Sequence, residues 1–165
     1  VRSWYLDLSL LEGYWGEERS YHHTAPVNNV YALREALRLI HEEGLSARWG
    51  RHRRLSAALQ EGLWALGLEP VVEESARLPS LTTARLPGGL APGGVVETMR
   101  EEHDVEIATG LGAFADEAVR IGCVGHGARQ GPVLETLGAL GETLSAHGID
   151  VDPCRGVSAA VNALD

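Results

Sequence analysis

Apolar residues recur at helical spacing in two long stretches of the first third of the chain. Val27, Val30, Leu33, Leu37 and Ile40 fall three or four positions apart, with Arg34, Glu35, Arg38 and Glu42 largely on the other side. That is the pattern of an amphipathic helix. Thr24 reads as its N-cap, Pro26 suits its first turn, and Gly44 supplies the stop. A second helix is predicted over residues 46–66, with Trp49, Leu55, Leu59 and Leu63 as its apolar stripe and Gly67 at its end. Ahead of both, residues 1–20 are irregular and carry the aromatics Trp4, Tyr5, Tyr14 and Trp15. They read as a short extended piece followed by one or two helical turns.

After Gly67 the texture changes to short runs between prolines and glycines. Strands are predicted over 69–73 and 81–86, the latter bounded by Pro79 and Pro87. A short helix over 93–102, strands over 103–108 and 117–124, and a helix over 130–146 follow. That last helix carries Val133, Leu134, Leu137, Leu140 and Leu144 on one face. Two long helices, then β-β-α-β-β-α, predict an α/β piece of the α+β kind: a small, mostly antiparallel sheet with helices on one side. Residues 148–165 are weakly patterned and read as a surface tail with one short helix over 157–164. The expected division is therefore 1–66, 67–147 and a tail from 148.

Composition narrows the function classes. The 165 residues are 44% apolar, enough for a core, and 23 acidic residues against 14 basic ones leave a formal charge of −9. An acidic surface of this kind argues against nucleic acid or an anionic membrane as partner. No apolar run approaches the roughly 20 residues of a membrane span. Cys123 and Cys154 sit in no CxxC pattern, and with no secretory signal in view they read as free thiols in a cytoplasmic protein. The opening at Val1, with no methionine and no polar lead-in, suggests a chain that begins inside a larger protein. All 14 basic residues are arginine. Chemistry that needs a lysine amine, as Schiff-base or general base, has no source here.

Three clusters are candidates for chemistry. In Tyr21-His22-His23-Thr24-Ala25-Pro26, the threonine hydroxyl lies at a helix start, where unpaired N–H groups and the helix dipole favour an anion. The alternative there is an ordinary cap with Tyr21 packed beside it. The paired histidines make no metal site, since neighbours point to different sides and no Cys, Asp or Glu stands at a ligand spacing. In Arg120, an arginine interrupts an apolar strand (Val119, Ile121, Cys123), with Gly110 and Gly112 shortly before it. Such a charge needs an answer: a structural ion pair, or the carboxylate of a substrate gripped by a planar fork. The third cluster, Arg48, Arg51, Arg53 and Arg54, reads as a solvated face rather than a phosphate site. No G-x-S-x-G elbow and no phosphate-loop pattern is present.

Several of these strings together resemble the class V aminotransferases, and more narrowly the alanine–glyoxylate and serine–pyruvate branch. They are Tyr21 to Val27, Tyr31 to Leu37, Glu43-Gly44-Leu45 through Arg48-Trp49 to His52-Arg53, Leu78-Pro79-Ser80 with Thr82-Thr83, Asp104 to Ile107, Gly110-Leu111-Gly112 and Val119-Arg120-Ile121-Gly122. The resemblance covers about residues 3–147. It implies the C-terminal part of a fold-type I enzyme that uses pyridoxal 5'-phosphate (PLP), acts as a homodimer, and moves an amino group from alanine or serine to glyoxylate or another 2-oxo acid. By the same resemblance, Tyr21 and Thr24 reach the cofactor phosphate of the other subunit, Arg120 binds the substrate carboxylate, and Gly110 and Gly112 lie close to the substrate. The family's Schiff-base lysine falls upstream of the residues seen here, so the chain alone is expected to be inactive, a fragment or truncated product. The competing expectations are a non-catalytic dimerisation or ligand-binding module, and a class V enzyme with a different amino donor.

Overall fold

The computed structural model describes residues 3–165. They divide into two compact units, one ending at Gly44 and the other spanning Leu45–Asp165.

The first unit holds two helices, α1 (Leu8–Trp15) and α2 (Val27–Glu43). Asp7 caps α1, its Oδ1 accepting the Ser9 N–H at 3.0 Å, and the Ser9 hydrogen bonds hold its carboxyl below the usual range. The charged side of α2 is as the pattern requires: Arg38 lies between Glu35, at 2.7 Å, and Glu42. Gly44 closes the helix at φ +81, its N–H donating to Ile40 O. The N-terminus differs from expectation. The helix starts at Val27 with Pro26 in the cap position and no side-chain cap; the Thr24 hydroxyl is instead bonded to that of Tyr21. Neither helix buries a residue, and Val27, Val30, Leu33 and Leu37 are all more than half exposed.

The second unit is built on α3 (Leu45–Ala65), α4 (Pro92–His103), α5 (Gln130–Ala146) and α6 (Cys154–Leu164). They cover one face of a sheet in the order β1-β2-β4-β3, from Glu69–Pro70, Leu81–Arg85, Ala118–Gly122 and Ala108–Thr109, every neighbour antiparallel. The pleat decides which residues enter the core: Thr82, Ala84, Val119 and Ile121 are buried against the helices, while Thr83 and Arg120 turn to the other face and are half-buried. Leu55, Leu59 and Leu63 of α3 meet Leu137, Leu140 and Leu144 of α5 in that core. Trp49, assigned to the same stripe, is 56% exposed, because the buried part of α3 begins only at Leu55.

Three predicted elements change. The strand over 69–73 pairs only at Glu69–Pro70 before the chain enters a 3-10 turn at Glu74–Ala76, although Val71 N–H still reaches Thr83 O at 3.0 Å. The strand over 103–108 is mostly helix end: Asp104 is left-handed at φ 59 and the Val105 N–H returns to Met99 O at 3.0 Å, a Schellman closure of α4. Only Ala108–Thr109 joins the ladder. The short helix expected over 157–164 is present and starts earlier, at Cys154. Helix α6 packs on α3 and α5 with Gly156 and Ala160 buried. The boundary between the two compact units falls ahead of α3, at 44/45. Both cysteines are free, Cys123 buried and Cys154 exposed, and burial pushes the Cys123 thiol up. No helix of the described residues is long and apolar enough to cross a membrane.

Candidate functional site

Within the first unit, Tyr21 and Thr24 come together. Their hydroxyls share a short hydrogen bond on an exposed surface, just ahead of the start of α2, whose first turn has no side-chain cap. Two exposed hydroxyls in front of the positive end of a 17-residue helix suit a phosphate dianion: while they are bonded to each other one hydroxyl proton remains to donate, and the dipole adds its field. Beside them, His22 is 3% exposed and packs between the rings of Trp4 and His23, with centroids 4.2 Å away in both cases. Among the described residues neither of its ring nitrogens has a hydrogen-bond partner. His23 faces Tyr5 instead, with Nε2 3.1 Å from the Tyr5 carbonyl. No group of three His, Cys, Asp or Glu side chains among the described residues is placed to hold a metal.

Within the second unit, Arg120 stands at the middle of β4, opposite Thr83 of β2 on one side and Ala108 of β3 on the other. Its Nε donates to the Thr109 carbonyl at 2.8 Å. Among the described residues no carboxylate pairs with it, and Nη1 and Nη2 have no partner. The guanidinium is thus oriented through the backbone, and its end edge, the two Nη groups, is left for a planar acceptor.

Gly110 sits directly after the carbonyl that holds this arginine. Its N–H donates to Ala118 O at 2.7 Å, and a Cβ there would lie 2.0 Å from Phe114 O. No other residue fits, because the chain folds back on itself through the turn Gly112–Phe114. Gly112 serves differently: it has φ +58 with open space around it. The structure therefore brings Arg120, Thr109 and Gly110 into one arrangement, with Gly112 two residues further along the turn.

The pattern of residues did not single out His52. Its Nδ1 lies 2.8 Å from Arg48 O and its Nε2 accepts the Gly125 N–H at 3.1 Å. Next to it, Arg51 Nη1 donates to Gly125 O at 3.2 Å and to Ala128 O. In the basic cluster of α3, then, Arg51 turns inward to loop carbonyls while Arg53 and Arg54 are exposed. A histidine between arginines on a polar helix face carries no periodic signal that would have set it apart.

Known proteins resemble this chain along its whole length. The (S)-ureidoglycine–glyoxylate transaminase of Bacillus subtilis is 37% identical over 165 residues, all of this chain and 40% of the relative. The alanine–glyoxylate aminotransferase of Felis catus is 40% identical over 146 residues, 86% of this chain and 35% of the relative. A solved structure of ureidoglycine–glyoxylate aminotransferase from Bacillus subtilis superposes with TM-score 0.87 at 38% identity, covering 98% of this chain and 42% of that one. Over its length the chain is similar to the C-terminal portion of class V aminotransferases. It spans about two fifths of the length of the relatives it matches. No family model matches it. In this chain the helices on one side of a small antiparallel sheet form the unit that carries Arg120.

Proposed function

We propose that this chain is the carboxylate-binding and phosphate-anchoring portion of an aminotransferase that moves an amino group from alanine or serine to glyoxylate or another 2-oxo acid. The observation that carries the reading is Arg120, backbone-held at Nε with two Nη groups and no acidic partner. A free guanidinium edge on the open side of a sheet suits the carboxylate common to amino and 2-oxo acids. PLP, when bound in the whole protein, supplies the electron sink for the proton shift at the amino-acid Cα. Tyr21 and Thr24 would hold its phosphate, donating to it in place of the hydrogen bond they now share, and Arg120 would fix the substrate acid, so that the reacting carbon is presented in one orientation. Moving the proton needs an amine that this lysine-free chain does not contain, so the chain alone binds without turning over.

In that frame residues 1–66 belong to the large domain and the interdomain helices, residues 67–147 form the small domain, and the segment from 148 extends it. The exposed apolar side of α2 supports a partner surface, and the reading places the enzyme as a cytoplasmic homodimer in which Tyr21 and Thr24 serve the neighbouring subunit. A different amino donor is the second reading, favoured by one observation: the relative matching the whole chain is named for ureidoglycine.

The test uses the whole protein with PLP, glyoxylate and a panel of amino donors. Alanine or serine is expected to give glycine and the corresponding 2-oxo acid. Transfer from ureidoglycine alone would establish the second reading, and no transfer from any donor would end both. In parallel, borohydride treatment of the present chain with PLP is expected to leave no reduced adduct on an internal side chain.

A further inference from the structure

Residues 122–129, which lead from β4 into α5, include Gly122, Gly125 and Gly127. Gly125 is left-handed at φ +59. Its N–H and C=O belong to no helix or strand, yet both are met by consecutive residues of α3: His52 Nε2 accepts the N–H at 3.1 Å and Arg51 Nη1 donates to the C=O at 3.2 Å. Because a backbone N–H can only donate, Nε2 must carry the lone pair. Because a carbonyl can only accept, Nδ1 must carry the proton that goes to Arg48 O, 2.8 Å away. The ring is therefore a neutral, fixed tautomer strung between two backbone groups, with no nitrogen left for solvent or substrate.

The position of that anchor matters for the site. Arg120 and Gly122 are two apart on β4 and share a face, and Gly122 has nothing within 4 Å of where a Cβ would stand. The loop springs from the open face that carries the arginine. Its ends are held by apolar packing, Cys123 at one and Ala128 at the other, both in the core. Its middle, Gly125, has no apolar side chain and is held by the α3 clamp. Loss of the clamp should free the middle of the loop without unmaking the core.

Resting on the reading of Arg120 as the carboxylate anchor, we propose that His52 is a positioning residue for the amino-acid substrate: by gripping Gly125 it fixes the wall of the site that continues from the Arg120 strand. It touches neither substrate nor cofactor.

The test uses the whole enzyme with PLP, in the variants His52→Phe, His52→Gln and Arg120→Ala. Phenylalanine keeps the ring and removes both nitrogens; glutamine restores an acceptor for the Gly125 N–H. In His52→Phe, amide exchange across residues 123–128 is expected to rise, and KM for the amino donor to rise roughly three- to tenfold, as the loss of one backbone hydrogen bond implies. The turnover number and the melting midpoint should stay near wild type, and His52→Gln should recover most of the KM. Unchanged exchange, or faster exchange with unchanged KM, would overturn the proposal. Equal losses in turnover and stability would do the same by making His52 merely structural. Arg120→Ala separates the two levels: if it too leaves KM unchanged, the carboxylate reading has failed, and if it alone raises KM, the clamp has.

Discussion

Arg120→Ala in the whole enzyme is expected to lower kcat/KM for the amino acid about 100-fold while leaving the affinity for PLP within about twofold. The size follows from removing two charge-assisted hydrogen bonds whose combined loss is roughly 3 kcal/mol, each 1.4 kcal/mol being tenfold. The selectivity follows from geometry: Arg120 is committed through Nε to Thr109 O and offers only its end edge, whereas the hydroxyls assigned to the phosphate are Tyr21 and Thr24 on the other unit. Arg120→Lys should not rescue. One ammonium cannot hold the Thr109 carbonyl and present a two-pronged edge to a carboxylate at the same time. Initial rates against amino-acid concentration, beside PLP binding measured separately, read both quantities. A parallel loss of PLP and amino-acid affinity would mean that the arginine only braces the β3–β4 pair.

How much of this was legible beforehand depends on the size of the side chains involved. Helix α5 was readable because Val133, Leu137, Leu140 and Leu144 are large and buried, and their period survives any detail of packing. Helix α6 was nearly silent for the opposite reason. Its buried residues are Gly156 and Ala160, which pack by close backbone approach and leave no apolar stripe to count. The strand over 103–108 misled because Asp104-Val105-Glu106-Ile107 alternates like a strand, while a left-handed Asp104 turns the chain out of α4. Thr24 looked like a cap because a hydroxyl before a proline usually is one; here Tyr21 claims it. Arg120 could be named because a charge within an apolar strand is conspicuous, although composition left its partner open. The clamp on Gly125 involves a histidine and a peptide group 73 residues apart, and only the folded chain brings them together.

The close approach that hid α6 also sets a large expected stability effect, at Gly141. A Cβ on Gly141 of α5 would lie 2.5 Å from Pro153 O, 2.8 Å from Pro153 Cα and 3.0 Å from Pro153 C. All three atoms are backbone at the entry to α6, so no rotamer change relieves the overlap and one helix must move. Overpacking of this kind costs about 3 kcal/mol, and the gain of roughly 1 kcal/mol from replacing glycine in a helix offsets only part of it. Gly138, one turn earlier on the same helix, supplies the control. Its Cβ would meet Val157 Cγ2 at 3.7 Å, an ordinary contact, so Gly138→Ala should gain the helical preference with no clash. Denaturant midpoints of the two variants in the whole protein are expected to move in opposite directions, Gly141→Ala down and Gly138→Ala level or up. Both moving down by similar amounts would mean that α5 tolerates no alanine on this side, and that the Pro153 contact is not what holds α6 to the core.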